Sequence, residues 1–132
     1  MQIERLDHFV LTTENLEKCL AFYRDILHMR VEETNGRYAL RFGRQKINIH
    51  TRKAEFLPAA TYPVSGSLDF CLVVKGPLDK VKEEILASGY LVEEGPCRRH
   101  GACGPMESLY LRDPDGNLVE LSVYGSDAEA ES

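Results

Sequence analysis

Hydrophobic and polar residues alternate with a period of two along several short segments, which predicts β-strands, while two other segments follow a helical period. The first helix is expected to begin at a cap within residues 13–15 and to end near His28 or Met29. Gly89 is the predicted stop of the second helix. The predicted strands cover residues 3–12, 31–33, 38–42, 46–50, 67–74, 90–94, 108–112 and 118–124.

The order of these elements is one strand, one helix and three strands, and the chain runs through this order twice. Residues 52–66 interrupt the pattern with two prolines and a glycine, so we interpret them as a connector between two halves of a single domain, residues 1–125. An internal repeat of this kind predicts the architecture before any motif does. The expected bounds are 3–51 for module one, 67–124 for module two and 126–132 for a disordered tail.

The first and last strands of each half carry their polar side chains on one face. Because side chains alternate between the two faces of a strand, the apolar positions fall on the other face, where we expect them to pack under the helices. Residues 6–11 align with 67–72, and residues 46–50 align with 117–121. The polar face then holds His8, Asn48, His50, Asp69, Cys71, Glu120 and Ser122.

Two imidazoles and two carboxylates on one surface suit a divalent metal ion. Imidazole nitrogen and carboxylate oxygen are ligands of Zn, Ni, Mn, Co and Fe in proteins. We therefore predict His8, His50 and Glu120 as metal ligands, with Asp69 as a candidate fourth ligand. The alternative reading is that each is a solvated residue on an exposed sheet face, which is the ordinary position of such side chains.

Composition excludes several other classes of protein. The chain of 132 residues has a formal net charge of −5, which argues against a nucleic-acid partner. It has no apolar run near the roughly 18 residues needed to cross a membrane, and its first residues lack an apolar signal-peptide core, so we expect a cytoplasmic protein. The four cysteines form no CxxC pair and are expected to be reduced, although a Cys97–Cys103 disulfide stays open.

Several stretches resemble the vicinal oxygen chelate superfamily, the group of glyoxalases, bleomycin-resistance proteins and extradiol dioxygenases. They are LDHFVLTTENLEKCLAFYRDILHMRV, RFGRQKINIH, GSLDFCLVV and LYLRDPDGNLVELSVY, and the likeness covers nearly all of residues 3–124. Within the group, the chain is most similar to the glyoxalase domain-containing protein 5 branch. The resemblance implies an α+β fold in which two βαβββ modules form an open, cup-shaped mixed sheet.

The resemblance also implies ligands from the first and last strands of each module, which assigns His8 and Glu120 to the metal. His50 falls where many members have Glu or Gln, and Asp69 falls where many have His. The implied function is a metal-dependent, glyoxalase-like lyase or isomerase that acts on a small oxygen-bearing substrate, with Glu120 as a catalytic ligand that also moves a proton. The alternatives are a ligand-binding, drug-sequestering protein and an extradiol-type dioxygenase. A homodimer is expected by the same resemblance.

Further residues are predicted to line the substrate site. Asn48 and Cys71 share the polar face, and Tyr110 belongs either to the site or to the core. Arg98 lies near His100 in a glycine-rich loop, where it forms either a basic lip for an anionic substrate or a solvated loop.

Overall fold

The computed structural model describes residues 1–125, and the chain separates into two compact units. The first unit, module one, holds residues 1–68 together with the short segment 114–116. The second unit, module two, holds residues 69–113 and the described residues from 117 onward. The tail predicted to be disordered, 126–132, lies outside the described residues.

Module one is a four-stranded mixed sheet with one short helix. The strand order is β1-β4-β3-β2, with β1 parallel to β4 and the other pairs antiparallel. The elements are β1 (His8–Thr12), α1 (Leu16–Ala21), a π-helical turn (Phe22–Ile26), β2 (Arg30–Thr34), β3 (Arg37–Phe42) and β4 (Gln45–His50).

The first helix begins where the sequence predicts and changes its form before the expected end. Oδ1 of Asn15 accepts a hydrogen bond of 3.0 Å from the backbone N–H of Lys18, which satisfies one of the free donors at the start of α1. The helix then widens into the π-helical turn at Phe22, and the chain leaves it at His28, where φ is +59°. Tyr23 is fully buried within this turn.

Module two repeats the order of module one, with strand order β5-β8-β7-β6. The helix packs on the sheet at β7, and Leu78 and Ile85 form its buried side. Because both modules show the strand, helix and three-strand order, the predicted α+β fold of two βαβββ modules is confirmed. The elements are β5 (Asp69–Val73), α2 (Leu78–Ala87), β6 (Glu94–Gly101), β7 (Gly104–Arg112) and β8 (Leu118–Tyr124).

The apolar face predicted for each sheet is the buried core. Alternating positions of several strands are fully or almost fully buried, which is the expected result of packing one face under a helix. They are Leu11, Leu40, Ile47 and Ile49 in module one, and Leu109, Leu111, Val119, Leu121 and Val123 in module two.

The glycine-rich segment predicted to be a loop forms a β-hairpin, with His100 in strand β6. The prediction of a loop around His100 is therefore wrong. Strands β6 and β7 pair up to the turn between Gly101 and Gly104. The pairing register shifts between Glu94 and Cys97, which accommodates the Gly95–Pro96 pair as an irregularity in β6. A proline is tolerated there because β6 is the edge strand of its sheet.

The strand register also corrects the repeat alignment by one residue. His8 pairs with Lys46 across β1 and β4, while Asp69 pairs with Leu118 across β5 and β8. Lys46 therefore corresponds to Leu118, and Asn48 is the repeat equivalent of Glu120. The one-residue difference matters because it exchanges the two faces of a strand.

The helices and the cysteines bear on two further predictions. Within residues 1–125, no helix is long and apolar enough to cross a membrane. All four cysteines are free thiols, so Cys97 and Cys103 do not form a disulfide.

Candidate functional site

The polar face of module two is centred on the carboxylate of Glu120 in β8. The hydroxyl of Ser108 donates a hydrogen bond of 2.7 Å to Glu120 Oε2, and the hydroxyl of Ser122 lies 3.3 Å from the same oxygen. The two serine hydroxyls are 2.6 Å apart, and both residues are fully buried. No hydrogen bond from residues 1–125 reaches Oε1 of Glu120. One oxygen is thus fixed and the other is available to a ligand.

Cys71 lies beside this carboxylate on the neighbouring strand. It is the direct partner of Glu120 in the β5–β8 register, and its Sγ lies 3.2 Å from the hydroxyl of Ser122. Burial raises the pKa of the Cys71 thiol, and the negative charge of Glu120 adds to this effect. Cys71 is therefore protonated at neutral pH and is suited to lining the site and not to nucleophilic attack.

Tyr110 and Arg99 form a polar pair on the same face. Tyr110 pairs with Glu120 across β7 and β8, and its hydroxyl accepts a hydrogen bond of 3.0 Å from Nε of Arg99. Desolvation raises the pKa of Tyr110, so the phenol keeps its proton at neutral pH. Since its oxygen already accepts from Arg99, the O–H of Tyr110 remains available to donate to a bound oxygen.

Arg99, and not Arg98, lies on the face that carries Glu120. Arg98 pairs with Glu107 and faces the opposite side of the sheet, because the register shift in β6 changes the parity of the residues after it. Alternation along β7 alone would have placed Ser108 beside Tyr110 on one face. The alternation of the sequence was therefore enough to predict that Ser108 lies on this face. The irregularity in β6 that places Arg99 on the same face had no clear signal in the sequence.

Asp69 lies near Glu120 on the polar face of module two. It is exposed at the start of β5, two residues before Cys71, and is a diagonal neighbour of Glu120 across the strand pair. The hydrogen bond of 3.0 Å to Glu93 is the main cause that raises the pKa of Arg112, and the charge of Asp69 adds a smaller effect. Asp69 is thus an accessible carboxylate that the register brings close to Glu120.

His8 occupies the position in module one that Asp69 occupies in module two. Its Nδ1 lies 2.8 Å from Oδ1 of Asp7, and this hydrogen bond lowers the pKa of Asp7. A histidine that donates from Nδ1 to a carboxylate presents the lone pair of Nε2 outward, as metal-bound histidines do. The side chain of His8 is 44% exposed, so Nε2 is accessible to a metal ion.

His50 shares the polar face of module one with His8 but lies at the other end of the strands. His8 pairs with Lys46 and His50 pairs with Thr12, so the two histidines are separated by four residues, or about 13 Å along the sheet. Nitrogen ligands of one metal ion lie only about 2.1 Å from it. The register therefore keeps these two histidines apart, and His50 lines a cavity that also contacts Asn48.

Within residues 1–125, no three His, Cys, Asp or Glu side chains are clustered as a preformed metal site would require. The structure instead offers separate donors that are each held by a neighbour, namely His8 by Asp7 and Glu120 by Ser108. The metal ligation predicted for His8, His50, Glu120 and Asp69 stays a prediction.

Comparison with known proteins extends this description. A family model described as the Glyoxalase/Bleomycin resistance protein/Dioxygenase superfamily matches residues 5–121. Virulence protein STM3117 of Salmonella typhimurium is 45% identical over 125 residues, which cover 94% of this chain and 87% of that protein. The crystal structure of that protein matches this chain with a TM-score of 0.91 and 44% sequence identity. The match covers 95% of this chain and 100% of that chain.

Two further proteins are similar to this chain in sequence. Glyoxalase domain-containing protein RDO1 of Mycosarcoma maydis is 42% identical over 124 residues, with 94% of this chain and 70% of that protein covered. The catechol-2,3-dioxygenase of Bacillus subtilis is 30% identical over 113 residues, with 84% of this chain and 38% of that protein covered. The family model spans most of the chain, and the fold agrees with it. The chain therefore belongs to the Glyoxalase/Bleomycin resistance protein/Dioxygenase superfamily.

Proposed function

We propose that this protein is a metal-dependent enzyme of the glyoxalase type, acting as a lyase or isomerase on a small oxygen-bearing substrate. The observation that carries the proposal is the state of Glu120. Its Oε2 is held by the buried hydroxyl of Ser108, while its Oε1 accepts no hydrogen bond within the described residues. A carboxylate with one fixed and one available oxygen is prepared to bind a cation or to take a proton.

The residues that we propose as donors to divalent metal are those predicted from the sequence, each taken on the polar face of its own sheet: His8 on β1, and Asp69 and Glu120 on β5 and β8. Their chemistry fits Zn, Ni, Mn, Co or Fe, since imidazole nitrogen and carboxylate oxygen are common donors to these ions. The hydrogen bond from His8 to Asp7 supports this role by leaving Nε2 as the accessible nitrogen. We leave His50 out of the set because of its distance from His8 along the sheet. A bound metal ion would supply Lewis-acid chemistry.

The side chains of module two supply the remaining chemistry that we propose. Glu120 accepts a proton at Oε1, and Ser108 keeps the carboxylate oriented during the transfer. The O–H of Tyr110 donates a hydrogen bond to a substrate oxygen, while the hydrogen bond from Nε of Arg99 keeps the phenol in position. Cys71 stays protonated and forms part of the wall.

Metal analysis of protein purified without added metal tests the proposed ligands. We expect His8→Ala and Glu120→Ala each to lose most of the metal, whereas His100→Ala, which removes an exposed histidine of β6, keeps it. Unchanged metal content in both His8→Ala and Glu120→Ala would overturn the proposal. The catalytic part is tested with the hemithioacetal of methylglyoxal and glutathione, for which Glu120→Gln should lower kcat by about 10²-fold or more.

A second candidate function is the binding of an apolar ligand without turnover. It is favoured by a second cavity of about 490 Å³ in module one, where Val10 and Leu68 meet four residues of the connector, Pro58, Ala59, Tyr62 and Pro63. A thermal-shift series with and without a chelator separates the two functions. A metal ion that binds the native state raises the melting temperature, so a chelator lowers it for the enzyme and leaves it unchanged for a metal-free binding protein.

An extradiol-type dioxygenase is the third candidate, and the likeness to the Bacillus subtilis dioxygenase favours it. This function requires consumption of molecular oxygen with a catechol in the presence of Fe(II). Oxygen uptake measured with an electrode distinguishes it from the glyoxalase-type function, which consumes none.

We also propose that the protein is a homodimer. The strands β1 and β5 are edge strands of their own four-stranded sheets, and an exposed edge is a common place for a second chain to pair. Light scattering after size-exclusion chromatography tests this, and a monomeric mass at high concentration would contradict it. The assignment to the glyoxalase domain-containing protein 5 branch likewise stays a prediction.

A further inference from the structure

A cavity of about 550 Å³ lies on the polar face of module one. Ala39 forms its floor because it sits in the middle of β3, paired with Glu32 on one side and Asn48 on the other. The single methyl group of Ala39 leaves space between longer side chains. The walls include Arg37, Lys46, His50 and Phe56.

The imidazole of His50 is the buried polar group of this cavity. The residue is only 9% exposed, and its buried Nδ1 has no hydrogen-bond partner among residues 1–125. Its ring packs edge-to-face on Phe56 with a centroid distance of 5.2 Å. A buried polar atom without a partner is unfavourable and uncommon in native proteins, which points to a bound molecule that completes it.

The residues that line the cavity include two cations, Arg37 and Lys46, and one carboxylate, Glu32, so the lining carries a net positive charge although the chain as a whole carries −5. Arg30, Arg41 and Lys46 are direct neighbours in the strand register, so three cations form a row across β2, β3 and β4. Like charges in this arrangement repel one another. Glu32 offsets part of the repulsion because it forms an ion pair with Arg41 at 2.6 Å.

Lys46 and Arg37 are the cations left for a ligand. Within residues 1–125, neither makes an ion pair with a carboxylate. The guanidinium of Arg37 lies over the ring of Phe56 at 3.9 Å, which fixes it at the wall of the cavity.

We propose that this cavity binds a small organic anion that has an apolar or aromatic part. Lys46 and Arg37 neutralise its charged group, Asn48 and His50 provide hydrogen-bonding partners, and Phe56 contacts its apolar part. The site uses none of the metal donors proposed above. The inference concerns binding alone, so it does not depend on the metal or on turnover.

Three probes of similar shape test the proposal by isothermal titration calorimetry. Benzoate and phenyl phosphate carry the charge on different anionic groups, and benzamide is the neutral counterpart of benzoate. All titrations contain EDTA, so that binding to a metal ion does not contribute. We expect at least one anion to bind about tenfold or more tightly than benzamide, the effect of one charge-assisted hydrogen bond. The better of the two anions identifies the charged group that the site prefers.

Charge-removing variants locate the binding. Lys46→Gln and Arg37→Gln should each weaken anion binding by about tenfold, while Arg44→Gln, in the exposed turn before β4, should leave it unchanged. Circular dichroism checks that each variant is folded, and Asn48→Ala provides a neutral variant of the same wall. The proposal would be overturned if neither benzoate nor phenyl phosphate binds more tightly than benzamide, if neither anion binds measurably, or if Lys46→Gln and Arg44→Gln have equal effects. Loss of metal in His8→Ala with anion binding intact would separate this site from the proposed metal function.

Discussion

The hydroxyl of Ser108 donates a hydrogen bond of 2.7 Å to one carboxylate oxygen of Glu120 and lies 2.6 Å from the hydroxyl of Ser122. All three side chains share the polar face of module two, and both serines are fully buried. The contacts from these two serine hydroxyls keep the carboxylate of Glu120 in position. The arrangement is a local product of the pairing of β7 with β8.

Ser108→Ala is expected to weaken the proposed metal site without unfolding the protein. Loss of an outer hydrogen bond to a ligating carboxylate typically reduces metal affinity by about tenfold or more. The loss in the free energy of unfolding should be about 1–3 kcal/mol, because the buried hydroxyl of Ser108 contacts both Glu120 and Ser122. Competition with a metal-binding dye gives the affinity and urea denaturation gives the stability. Ser65→Ala, a connector serine, is the control, and identical metal affinities for the two variants would exclude the positioning role of Ser108.

Gly95 is expected to be irreplaceable because its backbone passes directly over Ser108. It has φ of +109°, and a Cβ at this position would collide with the carbonyl oxygen of Ser108. Gly104 also has a positive φ, +124°, but a Cβ there meets open space. Gly95→Ala should therefore lower the free energy of unfolding by about 1–3 kcal/mol more than Gly104→Ala, which carries the cost of the backbone conformation alone. Urea denaturation of both variants gives the comparison, and equal losses would contradict the steric account.

The repeat and the polar faces were predictable from the sequence because alternation along a strand is a local property. His8 and Glu120 follow directly from this parity, and the buried core positions of both sheets follow from the complementary parity. The pairing of strands is not local. The alignment of the two halves was therefore wrong by one residue, and the equivalence of Asn48 with Glu120 emerges only from the hydrogen-bonded register.

The β6–β7 hairpin shows a second limit of sequence analysis. Glycine and proline usually mark loops, and the segment from Gly95 to Pro105 contains five of them. Here Gly95, Pro96 and Gly101 belong to the edge strand β6, where a proline removes no necessary hydrogen bond and a glycine permits a shift in register, and Gly104 and Pro105 begin β7. That shift decides that Arg99, and not Arg98, contacts Tyr110.

Leu40 is expected to be a main contributor to the stability of module one. It is fully buried in β3 and is flanked in the register by Val31 and Ile47. Leu40→Ala should lower the free energy of unfolding by about 2–5 kcal/mol, because it removes apolar contacts and leaves a cavity. Leu57→Ala is the matched control, since Leu57 is 80% exposed and should change stability by no more than about 0.5 kcal/mol. Similar losses for both variants would show that β3 is not packed as described.

Glu55 makes stability depend on pH through the turn that leads to Phe56. Its Oε1 accepts a hydrogen bond of 2.6 Å from the backbone N–H of Thr51, and its Oε2 accepts one of 3.0 Å from the hydroxyl of Thr51. These bonds favour the ionised form, so the pKa of Glu55 in the folded protein lies below the usual 4.5. The stabilisation is therefore fully present above pH 4.5 and is lost as the pH falls through the folded pKa. Glu55→Gln should be less stable than the wild type at neutral pH, and the stabilities of the two proteins should converge in acid.

Urea denaturation between about pH 3 and pH 7 measures the difference, with Glu4→Gln as an exposed control that should follow the wild type throughout. A constant difference between Glu55→Gln and the wild type across this range would mean that the charge of Glu55 does not stabilise the turn.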